Sequence, residues 1–318
     1  MNILITGAAG FLGSALANRL AQEGHSVHGL DDCSSGDPSK LAPEIYLTRG
    51  DVNDRPKLWS VLQGVDVVYH LAARVSVPES ILYPRDYNAT NVGGTVTLME
   101  AIRDVGIKRI VFASSGAVYG DQKNQACRED AELKPRSPYA VSKLAAEYYV
   151  RTISAFTNTE AVVLRIFNAY GPGQSIPPVH APVIPAFLRQ AVRNGTMVIN
   201  GDGSQTRDYV YVDDVISAMT AAATAPKINN MVINIGSGQA FSVKELARKV
   251  QEVTGVKAQV VHNPRAESGI SYLKADITLA GKKLNYKPSS NLETGLRLTL
   301  ERDPHFKASE DIDTEKYH

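Results

Sequence analysis

A chain of 318 residues, 43 % hydrophobic and 21 % charged, has the make-up of a protein that buries a core. It is long enough for one large α/β domain, or for a large one and a small one. Lys and Arg total 34 against 33 Asp and Glu, leaving a formal charge of +1. That balance excludes a global basic field for nucleic acid or an anionic membrane, so any phosphate must be held by local groups.

Met1 and Asn2 lead straight into Ile3-Leu4-Ile5-Thr6, without the basic segment and apolar run of a secretory leader. No stretch approaches the roughly 18 uninterrupted apolar residues that a membrane span needs. Cys33 and Cys127 lack metal-ligand spacing and read as reduced thiols, so no metal site is expected. These features predict a cytoplasmic protein.

In chain order, short β-branched runs predict strands over residues 2–6, 25–30, 65–70, 109–113 and 161–167. Helical patterns over 11–23, 91–105 and 139–156 lie between them, with Gly24 placed to end the first. Strands alternating with helices predict parallel pairing through right-handed crossovers. After Phe167 the pattern changes: residues 168–185 hold five prolines and predict a long structured loop. Helices follow over 186–193, 213–225 and 241–253, the last with Ser242 as N-cap and Glu245 as its capping-box partner. The expected class is α/β: a Rossmann doubly wound parallel sheet over 1–170, then a smaller α/β substrate domain over 171–318. Part of 200–235 is expected to return to the first sheet. The polar residues 308–318 are expected to fray.

Gly7-Ala8-Ala9-Gly10-Phe11-Leu12-Gly13 falls between the first strand and the first helix. Missing β-carbons let the backbone approach a pyrophosphate, whose charge the helix N-terminus stabilises. A turn that merely packs helix on strand is the plainer reading. The order strand, loop, helix, strand, acid favours a dinucleotide. The acid is Asp31, about 20 residues past the loop, suited to ribose hydroxyls and repelling a 2′-phosphate. No arginine stands near it in the sequence, so NAD is expected rather than NADP. Asp32 is an alternative ligand, and Asp51-Val52, after a third short strand, can place a carboxylate near the adenine amine.

Tyr139 and Lys143 are four apart and share a helical face. A nearby ammonium, with a cationic nicotinamide, is expected to lower the phenol from its usual value of about 10 and give a base near neutral pH. Ser114-Ser115-Gly116-Ala117-Val118-Tyr119-Gly120 follows the fourth apolar strand, at the edge where parallel sheets place chemistry. A hydroxyl there can share the reacting oxygen's proton with Tyr139.

The glycine loop, the serine-bearing strand end and the Tyr139/Lys143 pair together resemble the extended short-chain dehydrogenase/reductase family. The likeness continues through His70-Leu71-Ala72-Ala73, Asn91-Val92-Gly93-Gly94-Thr95, Arg165-Ile166-Phe167-Asn168-Ala169-Tyr170-Gly171-Pro172 and Gly201-Asp202-Gly203-Ser204-Gln205-Thr206-Arg207-Asp208-Tyr209. Within the family the chain is most similar to nucleotide-sugar 4-epimerases of the UDP-galactose 4-epimerase type. The resemblance implies Ser115, Tyr139 and Lys143 as catalytic residues. It implies NAD contacts at Gly7, Gly10, Phe11, Leu12, Asp31, Asp32, Ser35, Gly36, Asp51, Val52, Leu71, Ala72, Ala73, Asn91, Ser114, Tyr139 and Lys143. For a UDP-sugar substrate it implies Ser115, Tyr139, Asn168, Val183, Arg207 and Arg265, the arginines holding the nucleotide and its pyrophosphate. Paired guanidinium donors suit phosphate oxygens; a salt bridge of Arg207 with Asp208 or Asp213, and a solvated Arg265, are the plainer readings. Leu273 falls where the family tunes room for a 2-N-acetyl group. The family also implies a homodimer through the helices around Thr95 and Tyr148. The stripe Leu98, Met99, Ala101 and Ile102 suits either that or packing on its own sheet.

The related dehydratases and uronate decarboxylases carry acidic residues just after the catalytic hydroxyl. Gly116 and Ala117 stand there and can neither give nor take a proton, which favours epimerisation. Tyr139 would take the proton of the sugar's 4-hydroxyl while its hydride passes to NAD. The 4-keto sugar would then turn over and be reduced on its opposite face. Arg74 and His180 are the candidates for receiving a uronate carboxylate. A one-way dehydrogenase or reductase using the same residues, and a cofactor-sensing binding protein, are the other classes considered.

Overall fold

The computed structural model describes residues 1–122, 125–264 and 269–306. The chain opens with β1 (Asn2–Thr6), α1 (Phe11–Gln22), β2 (Ser26–Asp31) and β3 (Tyr46–Arg49). Next come α2 (Arg55–Val61), β4 (Val67–His70), α3 (Val77–Leu82) and α4 (Pro84–Tyr87). A π-helical turn, Asn88–Gly93, leads into α5 (Gly94–Val105), followed by β5 (Arg109–Ser115), α6 (Pro138–Ala155) and β6 (Glu160–Ile166). The next elements are β7 (Asn168–Tyr170), α7 (Val183–Val192), β8 (Thr196–Asn200), β9 (Thr206–Arg207), β10 (Tyr209–Tyr211), α8 (Val212–Ala222) and β11 (Met231–Ile235). The last are β12 (Phe241–Ser242), α9 (Val243–Thr254), β13 (Gln259–Asn263), β14 (Tyr272–Leu273), α10 (Thr278–Leu284) and α11 (Leu292–Arg302).

Seven strands form a sheet in the order β11-β6-β5-β4-β1-β2-β3, parallel throughout. The order reverses at β1, which gives the expected doubly wound α/β architecture and opens a crevice above the C-terminal ends of β1 and β4. Both faces are covered, which is why the strands are apolar throughout rather than alternating. Ile3 and Ile5 face Leu16 and Leu20 of α1, while Leu4, Val68, Ile110 and Phe112 face Leu58, Leu98, Met99 and Ile102. The apolar stripe of α5 therefore packs on its own sheet.

The remaining strands form small sheets, β10-β7, β12-β9-β14 and β13-β8. Residues 168–185 are not one loop. Asn168–Tyr170 pairs in parallel with Tyr209–Tyr211, a contact about 40 residues away that local pattern cannot reveal. The helix starts at Val183, three residues before its expected start, because proline is tolerated in a first turn and Pro185 lies there. The helix expected from Asn91 becomes regular only at Gly94, where a β-carbon would lie 2.3 Å from Val52 Cγ1.

Ser242 and Glu245 form the expected capping box on α9: Ser242 Oγ accepts from Glu245 N at 3.1 Å, and Glu245 Oε2 from Ser242 N at 2.7 Å. Ser242→Ala is expected to lower stability by about 1 kcal/mol. Urea denaturation checks this, and an unmoved midpoint at unchanged slope would show the cap to be energetically silent.

Candidate active site

The phosphate loop is shaped by contacts that only glycine allows. Gly7 has φ +72° and a β-carbon on it would meet Ala72 N at 2.6 Å; one on Gly13 would sit 1.9 Å from Gly7 O. The loop thus brings α1 hard against β1 and beside residues 71–73. Gly10 is the N-cap of α1 and no side chain caps that end, so the first amides of a 12-residue helix are left for an anion. Phe11 and Leu12 form its first turn. A dinucleotide's pyrophosphate fits this cradle.

Asp31 ends β2 and is buried. Its Oδ2 accepts from Ala9 N at 2.9 Å and its Oδ1 from Cys33 N at 2.8 Å, which fixes both oxygens and leaves each a lone pair for a ribose hydroxyl. Asp32 is exposed and engaged by Ser34 N and Oγ. Ser35 is exposed, and Gly36 lies so close to Ala9 that a β-carbon would be 2.8 Å from its Cβ. The expectation that no arginine stands near Asp31 is corrected. The β2–β3 register sets Arg49 opposite Asp31, and Arg49 Nε donates to Asp32 O at 3.4 Å. Parallel pairing makes neighbours of residues 18 apart. Asp51 is exposed and accepts from Asn53 N at 2.8 Å, and Val52 is buried beneath it.

The catalytic helix α6 starts at a Ser137 cap, whose Oγ accepts from Ala140 N at 3.1 Å, with Pro138 at the first position. That fixes Tyr139 in the first turn, half-buried, with Tyr87 edge-on at 6.4 Å. The Ser115 side chain at the end of β5 lies near the Tyr139 phenol and favours its ionised form, while Ser115 Oγ accepts from Ala117 N at 3.1 Å. Lys143, one turn on, is buried with Nζ 4.6 Å from the Phe112 ring centre. The three expected catalytic residues therefore meet at one sheet edge.

Their electrostatics differ from the expectation. Burial raises the Tyr139 phenol and Ser115 opposes it; no lowering by Lys143 emerges in the protein alone. Burial also pulls Lys143 down to about 7, with Glu147 opposing. A lysine titrating near neutrality carries only part of the charge that the phenol needs.

Behind the site, His70 is buried between two threonines, with Nδ1 2.7 Å from Thr6 Oγ1 and Nε2 2.9 Å from Thr95 Oγ1. Thr95 Oγ1 itself donates to Asn91 O at 2.6 Å, so it accepts from His70 Nε2 and the Thr6 hydroxyl donates to Nδ1. Burial first, and the Lys143 charge second, lower His70 to about 3, so it is neutral beside that lysine. Asn91 braces the next loop: Oδ1 accepts from Arg74 N at 2.8 Å, and Nδ2 donates to Arg74 O and to Ser142 Oγ. Both amide protons of Asn91 are thus committed within the protein. Ser114 Oγ likewise faces inward, donating to Glu147 Oε2 at 3.0 Å.

On the substrate side, Asn168 is exposed at the start of β7 and Val183 opens α7. Arg207 on β9 is half-buried with Nη1 2.7 Å from Thr206 O. Neither plain alternative for it holds. Asp208 accepts from Ser237 N, Ser237 Oγ, Gly238 N and Ala275 N, and Asp213 pairs with Arg302. Leu273 is the register partner of Arg207 and packs with Val118, Tyr119 and Phe167. Arg265 and residues 308–318 lie outside the described residues. Of the two candidates for a uronate carboxylate, Arg74 is paired with Glu79 at 3.4 Å and His180 is exposed.

The sequence reading missed Glu147 and Arg165, which are 0 % and 3 % exposed and ion-paired. A charged residue inside the apolar run of β6 was the available signal for Arg165, since such residues are rarely buried unless paired.

Residues 3–236 match the NAD dependent epimerase/dehydratase family. A UDP-glucose 4-epimerase of Mycolicibacterium smegmatis is 35 % identical over 308 residues, covering 95 % of this chain and 98 % of its own. The crystal structure of a UDP-glucose 4-epimerase of Thermotoga maritima with UDP-glucose superposes with TM-score 0.91 at 34 % identity, covering 95 % of this chain and 98 % of that one. A UDP-glucuronic acid 4-epimerase of Bacillus cereus, solved with UDP-glucuronic acid and NAD, gives TM-score 0.87 at 31 % identity, with 95 % and 98 % covered. With its glycine cradle, its buried ribose acid and its Ser–Tyr–Lys cluster in place, the chain belongs to the NAD dependent epimerase/dehydratase family, and its cofactor is NAD.

Proposed function

We propose that this chain interconverts the 4-epimers of a nucleotide-activated sugar, with UDP-glucose and UDP-galactose as the favoured pair. One observation carries the reading. Ser115 lies near Tyr139, and Lys143 follows one turn along the same helix, while the turn beside them offers Gly116 and Ala117 where an acid would be needed for elimination or decarboxylation. Gly116 lies flat against Phe167, and a β-carbon there would be 3.1 Å from the ring, so a longer side chain meets an aromatic wall.

NAD, when bound, supplies hydride uptake from sugar C4 and its return. Tyr139 takes the proton of the 4-hydroxyl at its phenolic oxygen, and Ser115 shares it. Lys143 favours the phenolate when charged. The 4-keto sugar turns over, and Tyr139 returns the proton as reduction occurs on the opposite face. Arg207, which forms no ion pair among the described residues, holds the diphosphate while the sugar swings, and Asn168 and Val183 border that end. The reading extends to a homodimer through α6. Val141 and Tyr148 on α6, and Ile81 and Leu82 on α3, which packs against α6, are exposed, apolar surface that a second copy would cover.

The test is to incubate the purified protein with UDP-glucose, UDP-N-acetylglucosamine and UDP-glucuronate separately, with no cofactor added, and to separate the products. Conversion of UDP-glucose to its 4-epimer is expected. Conversion of another sugar alone would reassign the substrate, and net NADH build-up would replace epimerisation by a one-way redox reaction. Arg207→Leu is expected to raise KM about a hundredfold with a smaller change in kcat, since it removes a phosphate contact. An unchanged KM would place the diphosphate elsewhere.

A further inference from the structure

We propose that Glu147 is a positioning residue for catalysis: it places an anion one helical turn from Lys143 and fixes the Ser114–Ser115 strand end, while Arg165 braces Glu147 from the next strand. This rests on the functional reading above for the role of Lys143.

Glu147 lies four residues after Lys143 and faces β5 from the same side of α6. Lys143 reaches Phe112, and Glu147 reaches Ser114, two residues along the strand and hence on the same face. The carboxylate makes three contacts. Oε2 accepts from Ser114 Oγ at 3.0 Å and Arg165 Nε at 3.1 Å, and Oε1 accepts from Arg165 Nη2 at 2.6 Å. Two parallel guanidinium bonds fix its plane. Arg165 is itself anchored, its Nη1 donating to Tyr119 OH at 2.9 Å and Glu129 O at 3.2 Å, with its guanidinium over the Tyr119 ring. Tyr119 OH donates onward to Asn234 Oδ1 at 2.7 Å.

The groups around Lys143 can be taken element by element. From β4 comes His70, neutral and hydrogen-bonded to both threonines; from β5, Phe112; from α6, Tyr139 and Glu147; from β6, Arg165, already paired. Among the described residues, Glu147 is the anion that acts on the lysine, and it opposes the burial that drives Lys143 toward neutrality. A buried ion pair is weak evidence for stability. Here the pair sits one helical turn below a catalytic lysine and one residue before the catalytic serine.

The experiment follows the titration of Lys143 by NMR on lysine-labelled, NAD-loaded protein, assigned with Lys143→Arg. In Glu147→Gln the midpoint is expected to fall by about one pH unit, and Glu147→Asp is expected to restore most of it. The plateau of the kcat profile should fall about tenfold in step, because less of the lysine is charged wherever the phenol is ionised. Should Glu147→Gln leave Arg165 unpaired and the protein unfolded, the double variant Glu147→Gln/Arg165→Met replaces the pair by neutral groups of similar size and should show a fall of the same sign but smaller, since the Arg165 charge goes too. An unmoved midpoint in either folded variant overturns the proposal. If the wild-type protein converts none of the sugars, the functional reading fails while the Lys143 midpoint still decides the part played by Glu147.

Discussion

Tyr139→Phe is expected to lower turnover about a thousandfold while NAD stays bound, the range typical of losing a general acid–base group. The ring keeps its packing, including the edge-on contact with Tyr87, and only the oxygen near Ser115 is lost. The pH dependence carries further information. Burial raises the phenol above its ordinary range and lowers Lys143 to about 7, so activity in the free enzyme requires Lys143 charged and Tyr139 deprotonated in the same complex. Those demands oppose each other, and a bell-shaped profile follows. Steady-state kinetics with a separate assay of retained NAD checks the variant. Residual turnover within tenfold of wild type would remove Tyr139 from the role of base.

Gly13→Ala is expected to be a strongly damaging single-methyl change in the phosphate loop. Its β-carbon would lie 1.9 Å from Gly7 O and 2.9 Å from Ala8 Cα, which are backbone atoms and cannot turn aside as a side chain could. Helix α1 must move off β1, taking its first amides away from the pyrophosphate position. A stability loss of about 3 kcal/mol is expected from such overpacking, together with loss of bound NAD from the purified protein. Gly24→Ala is the control. Nothing lies within 4 Å of the added carbon, and only the φ of +83° opposes it, so about 1 kcal/mol is expected. Thermal melting and NAD content measured on both variants check the pair. Equal effects would mean that close approach at Gly13 is unimportant.

Much of the arrangement of the candidate site was legible because its signals are local. Tyr139 and Lys143 share a helical face through four-residue spacing, and the glycine loop lies between a strand and a helix whose types are set by their own periodicity. Residues that act across the sheet were not legible. Arg49 meets Asp31 through strand register; β7 exists because of β10; Glu147 and Arg165 meet through helix-on-strand packing. Each depends on pairings between distant segments, for which a single sequence carries no periodic trace. In the protein without cofactor the phenol is raised rather than lowered for a related reason. Spacing gives the neighbour Lys143, but burial, which decides its charge, comes from β4, β5 and β6 together.

The placement of β11 constrains how the chain can be made. The strand completes the sheet from residues 231–235, pairing with β6 from Val162 to Ile166, while Asn230 N donates to Ala161 O and Phe167 N to Ile235 O. During synthesis Ser115, Tyr139 and Lys143 emerge well before this closing strand. Until residue 235 has left the ribosome, β6 stands as an edge of Ala161, Val162, Val163, Leu164 and Ile166, all buried in the finished protein. Such an edge invites pairing with other chains. A fragment ending near residue 170 therefore carries Ser115, Tyr139 and Lys143 and yet leaves this edge uncovered.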